Sequence, residues 1–203
     1  MSEIAPDVDG WARAHGFQPC DEEIGGATPL LRLGFLDVTD DVYRGAVGDH
    51  AALLAEFSVG SPSVSEGFGG AGADFSIFTL LLVGVDAHLW PRLTVHPAAF
   101  SDHDWMRRLF HKDHKIHTVS PEMDSRFRVI ASDAIPAEQL KKLFTPELET
   151  WWLAQKPEPI LDIEDHPSHG GYLTVAHPGL TDDDRDLDSL YAQTSHLLDV
   201  MAL

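Results

Sequence analysis

Between Leu30 and His96 the apolar residues fall in short blocks and alternations that predict β-strands rather than helices. Asp41–Val47 and Ala51–Val59 read as two extended segments, with Gly48-Asp49-His50 as the turn between them. Phe75–Val85, a run of large and β-branched apolar residues, reads as a central strand. Trp90–Val95 runs back from it until Pro97 ends the pattern. Short connections predict an antiparallel meander. Gly60–Asp74 is rich in glycine and serine and reads as a loop.

Helical spacing then takes over. Ser101 and Asp104 resemble a capping box ahead of Trp105, Met106, Leu109 and Phe110. Two short strands, Ile116–Val119 and Phe127–Ala131, follow, with Pro121–Ser125 as the turn between them. A helix opens at Pro136, and a second at Thr145-Pro146-Glu147, which supplies a cap, a proline and an acid in the order a helix start requires. Pro159–Glu164 and Tyr172–Ala176 form a closing hairpin across Asp165–Gly171. The last helix is capped at Thr181, and Leu187, Leu190, Tyr191, Leu197, Leu198 and Met201 line one of its faces. A short helix over Val8–His15, stopped by Gly16, would bury Trp11, Ala14 and Phe17. Gln18–Pro29 reads as an exposed acidic linker. The expected fold is therefore α+β: an antiparallel sheet, made of a meander plus a closing hairpin, with helices on one side and an amphipathic C-terminal helix. Residues 1–29 form an N-terminal arm and residues 30–203 a single domain.

Length and composition add to this. At 203 residues and 43% hydrophobic content, the chain can bury a full core without disulfides. Its formal charge of −19 opposes binding to nucleic acid or anionic lipid. Solubility accounts for the acidity; salt adaptation and an acidic docking face are the alternatives. The one cysteine, Cys20, permits no intramolecular disulfide and suits a reducing cytoplasm. The N-terminus lacks the pattern of a secretory signal. The most apolar stretch, Phe75–Val85, is too short to span a bilayer, so no membrane role is expected.

Candidate chemistry is sparse. Gly67, Gly69 and Gly72 have dinucleotide-loop spacing, but a strand follows them where a helix is required. His103, His111, His114 and His117, interleaved with Asp104 and Asp113, could converge on a metal, for which Zn²⁺ is the expected ion. His166 and His169 make a second, weaker pair. Around the first cluster Arg107, Arg108, Lys112, Lys115, Arg126 and Arg128 form a basic island in an acidic chain. Such an island could bind an anionic small molecule or an acidic protein partner, or pair with carboxylates of its own fold. Acids beside Cys20 weaken it as a nucleophile.

One resemblance is carried by particular residues. Ser120-x-x-Met123-x-x-Arg126-Phe127-x-Val129, then Asp133, then Leu143-Phe144-Thr145-Pro146-x-Leu148-x-x-Trp151, resembles a family of uncharacterised actinobacterial proteins. Trp90-Pro91-x-Leu93-x-Val95-x-Pro97 fits the same family, so the resemblance spans roughly residues 30–176. It implies fold boundaries and no reaction. Several members carry apolar helices outside this domain, which this chain lacks.

The expected function is a non-catalytic binding or protein-interaction module, with the basic island and the Trp151-Trp152 edge as its faces. The alternative is a metal-dependent enzyme built on His103, His111, His114 and His117. A third reading makes the C-terminal helix a homodimer interface.

Overall fold

In the computed structural model the described residues are 8–21, 36–63, 72–86, 92–99, 114–116, 118, 120–131, 144–166, 170–178 and 184–201. They form an open antiparallel sheet with helices on one side, an α+β domain. The strands are β1 (Gln18–Cys20), β2 (Leu36–Val47), β3 (His50–Ser63), β4 (Gly72–Val85), β5 (Leu93–Pro97), β6 (His114–Ile116), β7 (Phe127–Ala131), β8 (Ile160–His166) and β9 (Gly170–Pro178). The helices are α1 (Val8–Ala14), α2 (Pro121–Arg126), α3 (Pro146–Ala154) and α4 (Asp184–Met201). No helix among the described residues is long and apolar enough to cross a membrane.

The β2–β3 hairpin turns at Gly48-Asp49, with Val47 opposite His50 and Gly48 at φ +58°. That positive φ belongs to the primed turns that match strand twist, and glycine adopts it without steric cost. The β3–β4 ladder continues to Ser63 opposite Gly72, so much of the expected Gly60–Asp74 loop is strand.

Strand order departs from the expected meander. It runs β1-β2-β3-β4-β9-β8-β5-β7-β6, which places the β8–β9 hairpin between β4 and β5. The hairpin that was expected to close the sheet lies in its middle. Phe78, Leu80, Leu81, Leu82 and Val83 of β4 are all buried, so both faces of this strand need apolar or covered neighbours. β9 supplies one flank, from Phe78 opposite Pro178 to Val85 opposite Gly171. Sequence adjacency is only a tendency, and here a later hairpin takes the place.

One side of the sheet carries the main core. Tyr43, Leu54, Leu81, Val175, Leu161, Val95 and Val129 make a continuous cross-strand row from β2 to β7. This row shares its hydrophobic cluster with Met123 of α2, Leu148 and Trp152 of α3, and Leu187, Leu190, Leu197, Leu198 and Met201 of α4. The apolar stripe of α4 is thus buried within the chain, as its periodicity predicts.

The N-terminal helix is not a detached arm. Trp11, Ala12 and Phe17 belong to the same core, and Ala12 takes the buried position expected of Ala14. Gly16, at φ +82°, ends α1 in a Schellman motif: its N–H donates to Arg13 O at 3.2 Å and that of Phe17 to Ala12 O at 2.8 Å. The chain leaves this cap as β1, paired with Val42–Arg44 of β2, so the first residues of the expected linker belong to the sheet. Trp11 Nε1 also donates to Asp188 Oδ1 of α4 at 2.8 Å.

Pro121–Ser125, expected as a turn, lies within α2. Ser120 Oγ accepts from Met123 N at 3.2 Å and Pro121 occupies the first turn. Thr145 does the same for α3, accepting from Leu148 N at 3.3 Å. Thr145→Ala should therefore cost about 1 kcal/mol of unfolding free energy in urea melts. An unchanged midpoint would show that this cap contributes nothing. The predicted helices at Ser101 and Pro136, the Thr181 cap and the Gly67-Gly69 spacing lie outside the described residues.

Candidate functional site

The basic island is represented by its last two members. Arg126 is held between α3 and the segment after it: Nε donates to Glu158 Oε1 at 3.1 Å, Nη2 pairs with the same oxygen, and Nη1 donates to Leu153 O at 2.6 Å. Arg128 Nη1 donates to Asp124 O at 2.6 Å and Phe127 O at 3.1 Å. Both guanidinium groups therefore tie elements of their own fold together. Lys115 stands opposite Ile130 in the β6–β7 ladder; Arg107, Arg108 and Lys112 lie outside the described residues.

Of the four histidines, His114 opens β6 opposite Ala131, while His103, His111 and His117 lie outside the described residues. Among the described residues no group of three or more His, Cys, Asp or Glu is placed to hold a metal ion. The Trp pair is split in role. Trp152 is buried against Phe127, and half-buried Trp151 stacks on His196 of α4 at 4.5 Å. Cys20 ends β1 half-buried.

The unexpected chemistry lies on the other face of the sheet. There the cross-strand row reads Leu53, Leu82, Thr174, Asp162, Thr94 and Ile130, from β3 to β7. Its three middle residues are polar, and each is 1% exposed or less. Thr94 Oγ1 donates to Asp162 Oδ1 at 2.6 Å, the short distance of a charge-assisted bond. Thr174 Oγ1 is buried with no hydrogen-bond partner among the described residues. Leu80, Ala176 and Ile160, on the same face one residue pair along, are buried too. His96 extends the polar group on β5, opposite Arg128 of β7. Its Nδ1–H donates to Pro97 O at 2.9 Å. Burial pushes its pKa down and the Arg128 charge adds to this, while the Pro97 carbonyl opposes them. The ring is neutral at pH 7.

Glu149 and His177 are buried polar groups on the helix-facing side. Glu149 of α3 reaches Ser120, the cap of α2. Burial, and then the Asp124 carboxylate, raise its pKa, against hydrogen bonds from the Ser120 hydroxyl and backbone. Asp124 Oδ1 in turn accepts from Thr118 N at 2.8 Å and Thr118 Oγ1 at 3.0 Å. This cluster fixes the approach of α3 to α2. His177 of β9 is 2% exposed and meets Gln193 of α4.

None of Thr94, Asp162, Thr174, His96 or His177 stands out in the sequence. The strands Leu93-Thr94-Val95-His96 and Leu161-Asp162-Ile163-Glu164 alternate apolar with polar, which reads as a solvated face. The available signal was a carboxylate between two β-branched or large apolar neighbours. No family model, no curated protein and no solved structure matches the chain.

Proposed function

We propose that the chain is a non-catalytic binding module whose recognition site is the buried Thr94–Asp162–Thr174 row, extended by His96. The observation that supports this reading is the placement of a carboxylate and two hydroxyls in the buried interior of a sheet face, beside the aliphatic Leu80, Leu82, Ala176 and Ile160. Stability alone favours apolar residues there, because a buried polar group costs free energy unless fully paired. Departures from that rule concentrate at functional sites. A carboxylate flanked by hydroxyls recognises hydrogen-bond donors, so the ligand class is a small donor-rich molecule such as an amine. A neutral His96 adds a hydrogen-bonding group at the end of the row without adding positive charge. Arg126 and Arg128, the island members whose side-chain contacts are described, are engaged internally, which favours the polar row over an anion site. The resemblance at Ser120–Trp151 remains a proposal of kinship and assigns no ligand.

Thr174→Val is the test. Valine keeps the β-branched shape and removes a buried hydroxyl that has no partner among the described residues, so unfolding free energy should rise by about 1 kcal/mol. In the same protein, thermal stabilisation by small amines from a screening panel should weaken or vanish. A variant less stable than the parent would mean that the hydroxyl serves the fold. The binding reading would then fail.

A further inference from the structure

His177 lies where the sheet meets α4. Its register partner on β4 is Thr79, which faces Glu56 on β3, with Thr79 Oγ1 donating to Glu56 Oε1 at 3.5 Å. Above it is α4, whose Gln193 approaches His177 Nε2 at 2.7 Å. The orientation of Gln193 follows from its other contacts. Its Nε2 lies 3.5 Å from Pro157 O and 3.3 Å from Ser189 Oγ. A carbonyl can only accept, so the amide nitrogen faces Pro157 and the amide oxygen faces the imidazole. His177 therefore carries its proton on Nε2. Its Nδ1 is a bare acceptor, buried with no partner among the described residues.

We infer that the His177–Gln193 contact is a proton-sensitive latch that holds α4, and α1 with it, against the sheet. A second proton can enter the ring only at Nδ1. There it would create a buried N–H without an acceptor among the described residues, and a charge on a 2% exposed side chain. Undocking α4 relieves both by giving the imidazolium to water. α1 follows because Trp11 Nε1 donates to Asp188 of α4 and the Trp11 ring packs near Tyr191.

The charges around the ring do not reverse this. Asp186 of α4 favours the protonated form, and so does the bond to Gln193, but burial outweighs them and the pKa of His177 is lowered. Glu56 is one strand further away, beyond Thr79. Two other histidines lie at α4, His15 beside it and His196 within it. His15 lies 3.6 Å from Asp188, an ion pair that protonation strengthens, and His196 stacks on Trp151. The sign for His177 is that of a group whose folded pKa is depressed. Its contribution to docking is complete above the unfolded value of about 6.5 and is lost as pH falls below that towards the folded value.

Hydrogen exchange of the full chain at pH 7.5 and 5.5, corrected for intrinsic rates, tests the latch. The opening equilibrium of α4 amides should rise by up to about tenfold, while amides of β4 stay unchanged. His177→Phe should abolish the rise. Imidazole NMR of the parent supplies an independent reading: an Nε2–H tautomer that titrates below the exposed histidines. Unchanged α4 opening would overturn the latch. So would β4 opening in step with α4, a rise that persists in His177→Phe, or titration of His177 near 6.5.

Discussion

Trp152→Ala should lower the unfolding free energy by about 3–5 kcal/mol, the largest loss expected from any single truncation in α3. Trp152 is 1% exposed, and its ring meets Phe127 edge-on at 5.5 Å and Trp151 at 5.4 Å. It therefore joins the first residue of β7 to the helix that Thr145 caps. Removing it leaves a cavity that neither a strand nor a capped helix can collapse to fill, so the cavity cost adds to the lost transfer energy. The edge-on aromatic contacts are lost as well. Trp151 is the internal control. It is half-buried and stacks on His196 near the surface, so Trp151→Ala should cost markedly less. Urea denaturation of both variants measures the difference. Equal losses would contradict the assignment of one tryptophan to the core and the other to the rim.

Phe17→Ala should be as damaging, again by about 3–5 kcal/mol, although Phe17 lies only three residues beyond α1. The Schellman cap turns Phe17 into the core, where it is fully buried above Gly45 of β2. A Cβ built on Gly45 would stand 2.6 Å from Phe17 Cδ1 and Cγ, so the glycine is there to receive the ring. Gly45→Ala in the parent should accordingly cost about 1–3 kcal/mol through overpacking. In the Phe17→Ala background the same change should be nearly neutral, because the clash is gone. A double-mutant cycle measures this coupling. Additive losses would separate Phe17 from Gly45 and leave the N-terminal helix as the arm that its sequence suggests.

That sequence reading shows where legibility ended. Gly16 was legible as a helix stop because positive φ is a local property of glycine. What the stop accomplishes, seating Phe17 on Gly45, depends on a strand whose relevant residues lie well down the chain. α3 and α4 were legible from caps and periodicity. α2 carries the same start signals, Ser120-Pro121-Glu122, but six residues give too little periodicity to separate a helix from a turn. The strands were legible as strands and their order was not, since each apolar run could pair with several others. The site was the least legible part. Asp162 and Thr174 have the alternation of a solvated face, and only tertiary structure makes them interior. Arg126 and Arg128, conspicuous as charges, are explained by Glu158 and by carbonyls at the ends of α2 and α3.

The place of the β8–β9 hairpin has a consequence for biosynthesis. β4 and β5 each pair with a strand of that hairpin, so among the described residues the two flanks of the sheet join through residues 160–178. A nascent chain that has just released β7 holds two separate half-sheets, with the apolar strand β4 and the alternating strand β5 as unpaired inner edges. At roughly 5–20 residues per second, several seconds pass between the emergence of β4 and that of its second neighbour. During that interval the edge most hazardous for intermolecular pairing is the one that later becomes the centre of the sheet. Until residues 160–178 emerge the chain is therefore aggregation-prone, and once they have paired with β4 and β5 the sheet is closed across its middle.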